Sequence, residues 1–248
     1  MGALVRGIHH KFGIVLPANN SVLEPELWPR LPANAALHTA RILVRGDLTP
    51  QMIEAMEAQV DRAVDELMAT GVDLIVYADM VTTFIMRDGW NRERSSEIER
   101  STGLPCISAW TAMERALSAI GARRVAIGSP YPAAIHARAV GYFRKVCFDV
   151  VADATLDVRT VRAVPEVSRD AVIALAGSIA RPEADAIVLL ATDLPTFDAI
   201  EAIEARSGRP VLSCNQTILW ALLAQRGVAL AGPGRLFEHQ AAREEIIP

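Results

Sequence analysis

Apolar residues along the chain fall into two patterns. Six short runs are almost continuously apolar: FGIVLPA (12–18), DLIVYAD (73–79), PCISA (105–109), RVAIGSP (124–130), DAIVLLA (185–191) and PVLSC (210–214). A strand that is apolar at nearly every position is covered on both faces, as in a parallel sheet. Longer stretches between these runs carry apolar residues at helical spacing. In TPQMIEAMEAQVDRAVDELMATG (49–71) they are Met52, Ile53, Met56, Val60, Val64 and Met68. Thr49 suits the N-cap, Pro50 the first turn and Gly71 the stop, so a helix is predicted over 49–71. PYPAAIHARAVGYFRKVCF (130–148) and SRDAVIALAGSIA (168–180) read the same way. Alternating strands and helices predict an α/β protein built from right-handed crossovers.

The pattern also repeats. VDLIVYAD starts at 72 and ADAIVLLA at 184, 112 positions apart. GLPCISAWTAMERAL starts at 103 and GRPVLSCNQTILWAL at 208, 105 apart. FGIVLP and VAIGSP end on Pro17 and Pro130, 113 apart. Three matching pieces in one order predict two pseudo-symmetric Rossmann-like halves with parallel sheets. The expected division is 1–119 plus 216–248 for the first half and 120–215 for the second. Ligands of open parallel sheets bind beyond the carboxyl ends of the strands. The active-site cleft is therefore expected between the halves.

Composition narrows the function. The 248 residues suffice for a sizeable core. Net charge is −4 with basic residues scattered, which argues against nucleic acid as a partner. No apolar run reaches the roughly 18–20 residues that span a bilayer, so no membrane partner is expected. MGALVRGIHHKFG lacks the apolar core of a secretory signal. GPGRLFEHQAAREEIIP reads as a surface tail or a short last helix. Cys106, Cys147 and Cys214 show no metal-type spacing, and their sparse, odd number suits a reducing cytoplasm. Walker, GxGxxG, HExxH and GxSxG motifs are missing, so no cofactor and no metal is expected. Surface helices such as 49–71 could support a homo-oligomer.

Chemistry is expected in the loops that follow matching strands. LPANNSVLEPE (16–26) brings Asn19 and Asn20, whose amides can hold a carboxylate or cap a helix. The next loop carries Asp79, Met80, Val81, Thr82 and Thr83. Asp79 is either a cap or a catalytic carboxylate. Ser129, Pro130 and Tyr131 follow the third strand end. Tyr131 offers a phenol to an anion or a proton, or is only a packed aromatic. Ala191, Thr192 and Asp193 follow the fourth, and the 112-residue offset pairs Asp79 with Ala191. Ser213, Cys214, Asn215 and Gln216 follow the last. His9 and His10 read as surface, and His38 as a strand residue leaning on the cleft or the core. Asp157, Arg159 and Arg162 read mainly as a solvated face, and Cys147 as core.

These segments resemble the maleate isomerase and arylmalonate decarboxylase branch of the aspartate/glutamate racemase superfamily, over about residues 12–222. PANNSVLEPE resembles the family's first-loop motif, and LHTARI the strand after it. VYADMVTTF, SPYPAAIHARAVGYF and VLLATDLPTFDAIEAIEARSGRPVLSCNQTILWAL resemble further family segments in the same order. The resemblance implies two α/β halves around one site, and a cofactor-independent enzyme acting on a small carboxylate substrate. It places Asp79 and Ala191 where the family has its catalytic cysteines, and Asn20 and Tyr131 on the family's asparagine and tyrosine. A family asparagine falls near Val158 and is lost. Cys214 matches neither catalytic cysteine.

A thiolate adds to a double bond or removes a proton beside a carboxylate; alanine does neither. Two-cysteine racemisation and thiol-based isomerisation are therefore not expected. The expectation is acid/base chemistry of lyase, decarboxylase or isomerase type. Asp79 and Tyr131 would be catalytic, with Asn19, Asn20, Met80, Val81, Ala191, Thr192 and Asp193 around the substrate. The alternatives are an Asp79-dependent hydratase or hydrolase, and a silent carboxylate-binding relative.

Overall fold

The apolar runs form the central strands of two parallel sheets. The structure, a computed structural model, describes residues 7–239. The first sheet holds β1 (His10–Pro17), β2 (Ala35–Ile42), β3 (Leu74–Tyr77) and β4 (Cys106–Ser108), in the order β2-β1-β3-β4. Its helices are α1 (Leu23–Leu27), α2 (Pro50–Glu57), α3 (Val60–Ala69), α4 (Thr82–Ile85), α5 (Trp90–Thr102) and α6 (Ala109–Ala119). The second sheet holds β5 (Arg124–Ser129), β6 (Asp149–Thr155), β7 (Ala186–Leu189) and β8 (Val211–Ser213), in the equivalent order β6-β5-β7-β8. With it come α7 (Ala133–Lys145), α8 (Arg169–Ile179), α9 (Phe197–Ser207) and α10 (Cys214–Gln225). All six pairings are parallel. The predicted α/β class and pair of similar sheets are both present.

The repeat is physical as well as textual. β3 and β7 are buried at every position, because helices cover both faces of each sheet. Gly13 on β1 and Gly128 on β5 play one role. A Cβ at Gly13 would stand 3.1 Å from Val72, and one at Gly128 the same distance from Leu175 and Leu189. The covering side chains can approach this closely only over a glycine. Ser108 and Ser213 end the last strand of each sheet and cap the following helix. Ser108 Oγ accepts from Thr111 N at 3.0 Å, and Ser213 Oγ from Gln216 N at 3.3 Å. Helices α6 and α10, which these serines start, pack on each other and join the halves.

The structure departs from expectation at several points. The helix over 49–71 breaks at Ala58 and Gln59. The Gln59 amide turns away to bond both backbone groups of Leu43 at 2.9 Å. β6, absent from the apolar runs, is an edge strand with exposed Asp149 and Asp153. α5 was also hidden, since WNRERSSEIERST buries only Trp90, Asn91, Ser95 and Ile98. Cys147 is exposed, not core: it takes a left-handed turn (φ 70°) closing α7, with Phe148 N donating to Phe143 O. In the C-terminal segment, Arg235–Glu238 form one 3-10 turn with Leu236 buried. Residues 240–248 and the first six lie outside the described residues. No described helix is long and apolar enough to cross a membrane.

Ser108→Ala removes the capping oxygen and leaves Thr111 N without its partner. Chemical denaturation of this variant is expected to show a loss of about 1 kcal/mol in unfolding free energy.

Candidate active site

The loops after β1, β3, β5 and β7 meet at one cavity. The first half contributes Pro17, Asn19, Asp79, Met80 and Val81; the second contributes Tyr131, Ala191, Thr192 and Asp193. Its side wall is apolar, with Leu48, Met52, Ile53 and Met56 facing Val158, Val161 and Val164. The two wall segments follow β2 and β6 and meet through Leu48 N, which donates to Arg159 O at 3.1 Å. The cavity is small, about 40 Å³. No lysine, arginine, histidine or cysteine is among its lining residues.

Asp79 lies two residues past the end of β3 and is 6% exposed. Its Oδ1 accepts from Thr82 N at 2.9 Å, the bond of a helix cap, and the residue also lines the cavity. Burial pushes its carboxyl up to about 6, against hydrogen bonds from Thr82 and Val81 that hold it down. The Thr82 hydroxyl donates to the Asp79 backbone carbonyl at 3.4 Å, and Tyr77 OH donates to Glu57 at 2.7 Å. Glu57 pairs with Arg94 at 2.8 Å, and Arg94 with exposed Asp61 at 2.7 Å. Burial raises Glu57 to about 7.

Asn19 and Asn20 tie the halves together. Asn19 Nδ2 donates to Val161 O at 3.0 Å and to Asp193 Oδ2 at 2.9 Å. Asn20 Oδ1 accepts from Val22 N and Leu23 N at the start of α1, while its Nδ2 donates to Thr192 Oγ1 at 3.1 Å. Asn20 thus holds the first turn of α1 and braces Thr192, and it is not among the residues lining the cavity. Thr192 in turn donates to Ala78 O at 3.0 Å. Glu26, from α1, accepts from Thr196 N (2.6 Å), Phe197 N (2.8 Å) and Asn215 Nδ2 (2.6 Å). Burial still raises Glu26 to about 7.

Tyr131 is buried, lines the cavity, and its hydroxyl has no hydrogen-bond partner. Burial beside Cys214, Asp79 and Asp193 pushes the phenol well above its usual range, so it stays a donor. Its loop is held from behind. Ser129 Oγ meets His136 Nδ1 at 2.8 Å and accepts from Tyr131 N at 3.3 Å, while His136 Nε2 meets Asp153 Oδ1 at 3.1 Å. This serine-histidine-aspartate set is not a nucleophile: Ser129 is wholly buried and does not line the cavity. Across from Tyr131, desolvation lifts Asp193 to about 7, and the charge of Asp79 adds to the effect. Ala191 adopts a left-handed backbone (φ 86°), a conformation that side chains other than glycine's seldom take. Cys214 is fully buried in the first turn of α10, with its thiol against the Ala191 backbone and pushed up by desolvation.

Of the residues expected from the sequence, Asn19, Asp79, Met80, Val81, Tyr131, Ala191, Thr192 and Asp193 come together at the cavity. His38 and the exposed Arg159 and Arg162 do not line it. Sequence reasoning missed the apolar wall and Glu26. The wall residues sit in a helix whose apolar face reads as core, and Glu26 reads as a surface acid of a short helix.

The model of the arylmalonate decarboxylase family matches residues 12–237. The maleate isomerase of Pseudomonas putida is 25% identical over 238 residues, covering 91% of this chain and 95% of that protein. The arylmalonate decarboxylase of Bordetella bronchiseptica is 29% identical over 230 residues, covering 90% and 92%. A solved Nocardia farcinica maleate cis-trans isomerase, a cysteine-to-serine mutant with a covalently bound succinylcysteine intermediate, superposes with a TM-score of 0.87. It is 28% identical, covering 92% of this chain and 98% of that one. On its matched segments, its paired sheets and these relatives, the chain belongs to the arylmalonate decarboxylase family, within the maleate isomerase and arylmalonate decarboxylase branch of the aspartate/glutamate racemase superfamily.

Proposed function

We propose that this protein is a cofactor-independent enzyme of isomerase or decarboxylase type acting on a small carboxylic acid, with Asp79 as its general acid/base. One observation carries the reading. A buried carboxyl raised to about 6 and an unpartnered phenol line the same cavity. A carboxyl poised near neutral pH can both take and return a proton. As a carboxylate, Asp79 removes a proton from the carbon beside the substrate carboxylate. Charge then moves onto that carboxylate, and Tyr131 OH stabilises it by donating a hydrogen bond. Protonated Asp79 then delivers the proton to a different carbon of the delocalised anion, which shifts a double bond and completes an isomerisation; in a decarboxylation it would protonate the carbon that loses carbon dioxide.

A covalent thiol route finds no support in the cavity, whose lining contains no cysteine. The resemblance puts Asp79 and Ala191 at the family's cysteine positions, so the change of residue implies a change from thiol to carboxyl chemistry. A second reading, a silent carboxylate binder, draws support from the Asp79 bond to Thr82 N, which a cap alone would also make. The Asp79→Asn variant separates them, because the amide keeps the accepting oxygen and loses the acid.

Incubation with a panel of small mono- and dicarboxylates, followed by NMR, is expected to reveal turnover of at least one. Asp79→Asn should lower that turnover roughly 100- to 10,000-fold. A set of ligands bound equally by both proteins and converted by neither would leave the silent binder.

The pH dependence has a definite sign. The folded carboxyl titrates at about 6 and the ordinary one at 3.8. Below the ordinary value both states are protonated and nothing is lost. As pH rises through the folded value, burial of the ionised group destabilises the protein, by on the order of 2 kcal/mol. Asp79→Asn should therefore be more stable than the natural protein at pH 8, and this advantage should vanish near pH 4. Over the same range kcat/KM of the natural protein should climb through about pH 6, as the base form appears. Paired denaturation and rate measurements check both limbs.

A further inference from the structure

The serine, histidine and aspartate behind the Tyr131 loop form a chain with a direction. Asp153 lies on β6, and a carboxylate only accepts, so the hydrogen in its 3.1 Å contact belongs to His136 Nε2. In the neutral ring Nδ1 is then an acceptor, and the Ser129 hydroxyl, 2.8 Å away, donates to it. With its own hydrogen committed there, Ser129 Oγ offers its lone pairs, and Tyr131 N donates to one at 3.3 Å. Ser129 is wholly buried and His136 is 5% exposed, so neither turns to bulk water for a partner. The neighbouring peptide group is held as well. Thr155, which ends β6, donates through its hydroxyl to Tyr131 O and accepts from Asp157 N at 3.0 Å.

The phenol supplies no such hold of its own. Its hydroxyl has no hydrogen-bond partner among the described residues, and its ring meets Phe84 edge-on with centroids 6.3 Å apart. The backbone therefore sets where the hydroxyl stands, through Ser129 at Tyr131 N and Thr155 at Tyr131 O. His136 ties the first anchor to β6, the strand that carries the second.

We propose that His136 is a positioning residue for Tyr131: it fixes the Ser129 hydroxyl, so that the Tyr131 backbone, and with it the phenol, keeps one place in the cavity. The proposal rests on the reading above for what the phenol does there. It adds a side chain that does not line the cavity and acts on turnover only through Tyr131. Without Nδ1 the buried Ser129 hydroxyl loses its acceptor and turns elsewhere, which loosens its grip on Tyr131 N. Displacing a group by about 1 Å from a developing charge costs up to roughly 100-fold in rate.

The chain has three tyrosines, Tyr77, Tyr131 and Tyr142, so carbon-13 tyrosine labelling gives a readable NMR spectrum, assigned by Tyr→Phe substitutions. Tyr142 shares α7 with His136 and reports on that helix; Tyr77 reports on the other half. His136→Leu and Ser129→Ala are each expected to move the Tyr131 signal and leave the other two in place. His136→Asn, whose side-chain oxygen can accept from Ser129 in place of Nδ1, should restore the natural Tyr131 signal. With whichever acid of the panel is turned over, His136→Leu should lower kcat roughly tenfold or more with little change in KM, and should cost nothing further in a Tyr131→Phe background. A Tyr131 signal unmoved by both substitutions, all three signals moving together, or an undiminished cost of His136→Leu beside Tyr131→Phe would each overturn the proposal. The two claims fail separately. If no acid is turned over, the acid/base reading falls, and the tyrosine signals alone decide the positioning claim.

Discussion

Glu26 occupies the joint on which the cavity depends. It comes from a five-residue helix of the first half and ends against the second. There it receives the backbone N–H groups of Thr196 and Phe197, which open α9, and the amide of Asn215, which stands in the first turn of α10. The first N–H groups of a helix have no partner inside the helix, so a buried helix start needs an acceptor brought to it. Here that acceptor arrives from about 170 residues earlier in the chain. Asn19, Asn20 and Thr192 extend the same seam. Each half alone supplies part of a wall; the seam sets the distance at which Asp79 and Tyr131 share a space.

The cavity that results is held at a cost in stability. Asp79 and Asp193 are both driven towards their neutral forms by burial, and neither has a cation beside it. Ala191 holds a backbone conformation that a glycine would take more easily. Two buried carboxyls and a left-handed alanine thus stand together around one cavity. The relatives named above include one trapped with a succinylcysteine. In this chain the thiol nearest the cavity, Cys214, lies beneath Ala191 and is held in its protonated form by desolvation. The titratable groups that line the cavity are Asp79, Asp193 and Tyr131.

Much of this was legible in the sequence, for physical reasons that differ by element. β3 and β7 were readable because burial on both faces demands continuous apolar residues. The offset of 112 between VDLIVYAD and ADAIVLLA then placed Asp79 and Ala191 at matching strand ends, which the structure brings to one cavity. β6 and α5 were not readable by this logic, because an edge strand and a solvated helix bury too little to leave a pattern. Asn20 shows a different limit. Its residue type suited both a cap and a substrate contact, and its partners across the fold, Val22 N, Leu23 N and Thr192, leave no trace in the sequence. The side wall was hidden because Met52, Ile53 and Met56 serve the core and the cavity with the same apolar face.

The most direct test of acid/base chemistry at Asp79 is exchange of hydrogen for deuterium at the carbon beside the carboxylate. The small mono- and dicarboxylates of the panel would be followed by proton NMR in deuterium oxide with the natural protein and with Asp79→Asn. The account predicts loss of the proton signal of that carbon with the natural protein, faster above pH 6 than below it, and no loss with the variant. Exchange that persists unchanged in Asp79→Asn would contradict it.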